Sequence, residues 1–146
     1  MSTRVKICGL TRLADLDAVV VAGAAYVGFN FFPKSPRFLA TAQARTLSLA
    51  APPGLARVGL FVDAEDAQID AVLAEAPLDM LQLHGRESPE RMAHLRARHG
   101  LPLIKAVGVA DSADLPALVA AILGDLVEMR NEGLVTFDDA VDHGLG

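Results

Sequence analysis

The sequence predicts an α/β fold built on a parallel sheet, and three observations carry that expectation. Short apolar segments rich in Val, Ile and Phe alternate with stretches of helical spacing. The apolar segments are hydrophobic nearly throughout, as strands covered on both faces must be. Gly, Pro or Asp bounds each of them, as chain reversals require.

Five segments read as strands: residues 4–8, 26–31, 56–62, 79–83 and 103–107. Between them Leu13, Leu16 and Val20 repeat at intervals of three or four, as do Ala44, Leu47 and Ala51, then Ile69, Val72, Leu73 and Ala76, then Met92 and Leu95. Thr41 and Asp63 stand ahead of the second and third of these helices as candidate caps. Ser88 can cap the fourth, with Pro89 at its first position. Gly23 and Gly100 fall where helices end. Strand–helix–strand units link parallel strands by right-handed crossovers. Periodicity leaves two architectures open, a doubly wound sheet with its ligand at a switch point and a barrel with its ligand at the C-terminal strand ends. The first strand leads into Cys8-Gly9-Leu10-Thr11-Arg12 and not into a G-x-G-x-x-G turn, which removes the main support for dinucleotide binding.

The 146 residues, 52% hydrophobic, suffice for a single domain. A net charge of -5, with its 13 basic residues scattered, argues against a nucleic-acid partner, because counterion release needs clustered Lys and Arg. No apolar run reaches the roughly 18 residues of a membrane span, and no signal-peptide core follows Met1. One cysteine excludes an internal disulfide and suits a reducing compartment. A soluble, cytoplasmic protein is the expectation.

In either architecture the residues at the strand ends carry chemistry. Cys8 closes the first strand. A lone cysteine is commonly a small buried hydrophobe, but a thiol at a strand's C-terminal end can face a ligand. The loop Phe32-Pro33-Lys34-Ser35-Pro36-Arg37 has two prolines that fix its backbone and aim Arg37, whose planar fork suits a carboxylate or phosphate. A single arginine is otherwise a solvated surface residue. In Gln82-Leu83-His84-Gly85 the alternation puts Gln82 and His84 on one face. Both then need partners in an apolar setting, and a satisfied core histidine competes with a ligand-facing one.

These segments resemble a known family. Val5-Lys6-Ile7-Cys8-Gly9-Leu10-Thr11-Arg12, with Asp15 after it, is similar to the opening signature of phosphoribosylanthranilate isomerases. Residues 23–29 with Ser35-Pro36-Arg37 resemble the family's second-strand block, and residues 58–62 and 81–85 its third and fourth. The resemblance spans about residues 4–109. It implies a parallel (β/α) barrel of the TIM type and an Amadori rearrangement of N-(5-phosphoribosyl)anthranilate to 1-(2-carboxyphenylamino)-1-deoxyribulose 5-phosphate, a step of tryptophan biosynthesis. It implies a small phosphorylated substrate and neither a metal nor an organic cofactor. Cys8 would be the general base at the sugar C2, and Arg37 would bind the anthranilate carboxylate. Gln82 and His84 would line the pocket, with Gly9 admitting the substrate close to the backbone. Asn30 stands where the family usually has an apolar residue and, pointing inward, would alter the pocket floor.

The expected organisation is a barrel portion over residues 1–109 and a divergent tail over 110–146, with helical spacing at Leu115, Leu118, Val119 and Ile122 and one further strand at 126–129. The tail carries neither the family's general-acid Asp nor its phosphate-binding glycine turns; Glu128 falls nearest the acid position. The 39 residues after Val107 hold one more strand–helix unit of about 30 residues at most. The barrel is therefore expected to be partial, with five to six strands of eight, and its open edges and uncovered apolar interior to drive self-association into a homo-oligomer. An isomerase is the leading reading. A non-catalytic barrel fragment held together by self-association is the alternative, and another phosphate-binding barrel enzyme ranks last.

Overall fold

The computed structural model describes residues 3–107 together with Ala113 and Pro116. Five strands, β1 (Lys6–Cys8), β2 (Tyr26–Asn30), β3 (Ala56–Phe61), β4 (Met80–Leu83) and β5 (Leu103–Lys105), alternate with four helices, α1 (Leu13–Val21), α2 (Thr41–Ala50), α3 (Asp66–Glu75) and α4 (Pro89–His99). All five expected strands are present, trimmed by one or two residues at some ends. The expected sixth strand and the tail helix lie outside the described residues.

Sheet order decides between the two architectures. The strands run β1-β2-β3-β4-β5, each parallel to the next. Without a reversal of strand order there is no switch point, and the sheet is singly wound, as in a (β/α) barrel. Two apolar clusters lie on its two faces. The larger joins Val27, Phe29, Phe31, Phe61, Leu81, Leu83 and Leu103 of the strands and their ends to Leu16, Val19, Leu47, Ile69, Val72 and Leu95 of the helices. The smaller gathers Tyr26, Val58 and Ile104, which alternate with the outward set. The interior was expected to face water unless the chain rearranged, its tail covered the gap or a second copy paired with it, and these three are 4%, 0% and 3% exposed. Exposed apolar residues lie instead at β1, with Ile7 within it at 39% and Val5 just ahead of it at 47%.

Helix detail agrees with the sequence in part. Ser88 caps α4 by accepting from Arg91 N at 3.1 Å, and Gly100 ends it in a left-handed conformation. Gly23, just past α1, is left-handed too. Thr41 is not the cap of α2: Ala40 holds that place, and its N–H donates to Gln43 Oε1 at 3.3 Å. Asp63 is not the cap of α3, which starts later, behind Glu65. On α1 the buried residues are Leu16 and Val19, while Leu13 and Val20 stay 47% and 40% exposed.

An ionic seam joins α3 to α4. Asp66 meets Arg91 at 2.5 Å and His94 at 2.7 Å, and Asp70 meets Arg98 at 2.5 Å. Hydrogen bonds from His94 and Arg91 pull the Asp66 carboxyl down to about 2, and Arg98 lowers Asp70 likewise. A depressed carboxyl contributes stability above its ordinary value and loses it as pH falls toward the lower one. The melting midpoint is therefore expected to fall between pH 4 and 2, and Asp66→Asn to flatten that decline; an unchanged acid limb in the variant would remove the seam as its cause.

Candidate active site

Cys8, Gly9 and His84 stand at or just past the C-terminal ends of their strands, Arg37 on the loop after β2 and Gln82 within β4. Cys8 is the last residue of β1 and pairs with Gly28 of β2. A Cβ built on Gly28 would lie 2.7 Å from the Cys8 Sγ, so the thiol occupies the recess that the missing side chain leaves. The chain then turns at Gly9, with φ 82. A Cβ built on Gly9 would come within 2.6 Å of Arg37 Cδ and 2.9 Å of its Nη1, so the arginine lies across the Gly9 backbone. One glycine thus makes room for the thiol and the other for the guanidinium. Cys8 is partly exposed, as a thiol that meets a ligand must be.

The Arg37 loop is held from within. Asn30, at the end of β2, accepts from Phe32 N at 2.8 Å and donates to Ser35 Oγ at 3.2 Å; the same hydroxyl accepts from Arg37 N at 3.1 Å. Leu39 N donates to Asn30 O at 2.8 Å and closes the loop. Asn30 would have altered the pocket floor had it pointed inward; its side chain is found bracing the segment that presents Arg37.

Gln82 and His84 part company. Gln82 is 3% exposed and accepts a hydrogen bond from Lys6 Nζ, a contact between β1 and β4 that supplies the partner its burial demands. His84 is exposed just past the end of β4, with its backbone N–H donating to Phe61 O at 2.9 Å, so the core-histidine reading is overturned. The strand ends before the alternation can carry His84 inward. Glu128 lies outside the described residues.

The sequence reading missed a buried ionic group beside this face. Glu87, two residues past Gly85, is 3% exposed in its side chain and meets Lys105 Nζ, 9% exposed, at 2.6 Å. Its carboxylate also accepts from Gly85 N at 2.9 Å and Asp63 N at 3.1 Å. Burial alone would raise the Glu87 carboxyl, but the hydrogen bonds from Lys105 and the backbone outweigh it and leave it below the usual glutamate value. The available signals were a Glu between a strand-end glycine and the Ser88-Pro89 cap, and a Lys closing an apolar strand.

A singly wound parallel sheet with its functional side chains at the C-terminal strand ends is the arrangement of a (β/α)-barrel enzyme of the TIM type. Comparison with known proteins narrows this. Residues 5–129 match the model of the N-(5'-phosphoribosyl)anthranilate (PRA) isomerase family, and the chain belongs to that family. Over 116 residues it is 63% identical to the N-(5'-phosphoribosyl)anthranilate isomerase of Cereibacter sphaeroides, covering 80% of this chain and 55% of the relative. The enzyme of Paracoccus denitrificans is 59% identical over 118 residues, with 81% and 55% covered. The crystal structure of phosphoribosyl anthranilate isomerase from Thermotoga maritima superimposes with a TM-score of 0.76 at 41% identity, covering 81% of this chain and 57% of that one. Another structure of the enzyme, equal in TM-score and identity, holds reduced 1-(o-carboxyphenylamino)-1-deoxyribulose 5-phosphate. The chain spans about half the length of the curated relatives it matches.

Proposed function

We infer that this chain supplies the base-and-carboxylate portion of an isomerase site that converts N-(5-phosphoribosyl)anthranilate to 1-(2-carboxyphenylamino)-1-deoxyribulose 5-phosphate. The observation that carries the reading is the pair of glycine recesses, with Arg37 packed over Gly9 and the thiol of its chain neighbour Cys8 seated at Gly28. With the sugar opened to its Schiff base, the Cys8 sulfur takes the proton from C2. The C2–H electron pair becomes the C1–C2 double bond, and the C1–N π pair passes to nitrogen. Protonation of C1 and loss of the C2 hydroxyl proton then give the ketone. The Arg37 guanidinium grips the anthranilate carboxylate at two points, Gln82 and His84 belong to the pocket wall, and Gly9 lets the substrate approach the backbone. The residues named contribute proton transfer and orientation without a cofactor.

The direct test is turnover of N-(5-phosphoribosyl)anthranilate by the purified chain, with growth of an isomerase-deficient auxotroph without tryptophan as its counterpart in cells. A folded chain that neither binds nor converts the substrate would sink the reading. Arg37→Lys is expected to weaken an anthranilate-bearing ligand about tenfold, since an ammonium cannot make the two-point contact. Equal affinities by calorimetry would take the carboxylate from Arg37.

The partner reading rests on Ile7 of β1 and Val5 just ahead of it, both exposed and apolar. One solved structure concerns monomers of a dimeric relative from Thermotoga maritima. Self-association of this chain through its edge strands is expected, and a monodisperse monomer by sedimentation would exclude it. Among the described residues no helix is long and apolar enough to cross a membrane. The single cysteine fits a cytoplasmic setting, and the scattered positive charge fits a small-molecule substrate better than a nucleic acid. Residues 1–109 form the barrel portion in this reading and 110–146 the tail.

A further inference from the structure

Strand register places an ammonium on the inward face of the sheet. Lys6 pairs with Tyr26 and Cys8 with Gly28, and directly opposed residues share a face. Tyr26 belongs to the inward apolar cluster with Val58 and Ile104, and Gln82 of β4 pairs with Ile104. Lys6, Cys8 and Gln82 therefore lie on the same side. β1 and β4 are not neighbours in the sheet, yet Lys6 Nζ reaches past β2 and β3 to donate to Gln82 Oε1. Among the described residues Lys6 forms no ion pair, and this neutral amide is its hydrogen-bond partner. An ammonium has donors only, so it can be met only by the oxygen of the amide. That fixes which end of Gln82 is free. Its Nε2 makes no hydrogen bond among the described residues, and it is not sealed off, because His99 Nε2 is the only fully buried side-chain polar atom left without a partner there. The NH2 thus opens outward from a residue that is 3% exposed. A methionine in place of Lys6 would fill similar space without desolvating a charge, so packing alone does not call for a lysine.

We propose that Lys6 is a positioning residue of the isomerase site: it holds the Gln82 amide in the one orientation that presents its NH2, and not its oxygen, to an oxygen acceptor of the ligand. The inference rests on the isomerase reading above, in which Gln82 belongs to the pocket wall, and gives that side chain a polarity and a cause for it. Lys6 stands one alternation before Cys8 on the same face of β1, roughly 7 Å along the strand. The amide that it aims therefore faces the same interior as the thiol. The substrate's hydroxyl, carboxylate and phosphate oxygens all accept hydrogen bonds. A wall group fixed as a donor suits them, whereas a flipped amide would set oxygen against oxygen.

The test measures affinity for reduced 1-(o-carboxyphenylamino)-1-deoxyribulose 5-phosphate by calorimetry, on the whole chain and on a double-mutant cycle of Lys6→Met and Gln82→Met. Each single variant is expected to bind about fivefold to tenfold more weakly, the worth of one hydrogen bond. The double variant should lose no more than Gln82→Met alone, because Lys6 acts only through that amide. Lys6→Arg, whose fork likewise only donates, should stay within about twofold of wild type. Losses that add in the double variant overturn the proposal, since a loosened fold, or a lysine that touches the ligand itself, would give that result. Wild-type affinity in Lys6→Met overturns it too, as does an arginine variant no better than the methionine one. If Lys6→Met does not fold, Gln82→Glu decides. Its carboxylate keeps the contact with Lys6 but cannot donate, so affinity should fall, and an unchanged affinity overturns the donor role. A wild-type chain that does not bind the analogue removes the isomerase reading, and this inference with it, whereas an analogue bound equally by wild type and variants removes this inference alone.

Discussion

Glu87→Ala is expected to destabilise the fold by about 3–5 kcal/mol, the cost of leaving a buried charge without its partner. The Lys105 ammonium would keep only Gly85 O among its present contacts, in surroundings that leave it 9% exposed. The amides of Gly85 and Asp63 would lose their acceptor at the same time. The exposed Arg12–Asp15 pair, with Nη2 and Oδ1 2.8 Å apart, is the contrast: its loss should barely move the denaturation midpoint, because solvent screens it and two mobile side chains must be ordered to make it. Urea unfolding of the two variants side by side separates the cases, and a Glu87→Ala midpoint as close to wild type as that of Arg12→Ala would show that water reaches Lys105. The pH dependence has a definite sign. The Glu87 carboxyl lies below its ordinary value, so its contribution is full above that value and fades as pH falls through the lower one.

The strands and helices were legible because each has a period of its own. Residues 26–31 are apolar but for Asn30 and had to be covered twice, while Ile69, Val72 and Ala76 mark one helix face, and the structure buries Tyr26, Val27, Phe29 and Phe31 as well as that face. Barrel or open sheet was not legible from period, since the difference lies in which strand pairs with which; the order β1-β2-β3-β4-β5 answers it, in agreement with the family resemblance. Caps were read with mixed success. Ser88 sits in a standard serine–proline start, whereas at Asp63 the side chain serves Arg86 N across the loops and is not available to its own helix. His84 shows the limit of alternation, which holds only while the strand lasts, and β4 stops at Leu83. Glu87 and Lys105 were illegible because they are 18 residues apart and each alone looks like a solvated charge. Gly28 carries its meaning only through the register that sets it beside Cys8.

Cys8→Ala is expected to lower any isomerase turnover of this chain by at least about 10²-fold, the usual loss for a missing general base, with ligand affinity nearly unchanged. The variant removes one sulfur from a partly exposed position, so the fold should tolerate it. Chemical modification gives the same test without mutation. The chain has one cysteine, so a single equivalent of iodoacetamide reports on Cys8 alone, and turnover should disappear in step with its uptake. Gly28→Ala is the geometric counterpart. Its methyl would need the space within 2.7 Å of Sγ, forcing the thiol toward another rotamer and lowering kcat while the Arg37 contact with the anthranilate end persists. Alanine at position 8 with undiminished turnover would put the base elsewhere. Alanine at position 28 with wild-type kcat would show that the recess does not set where the sulfur must be.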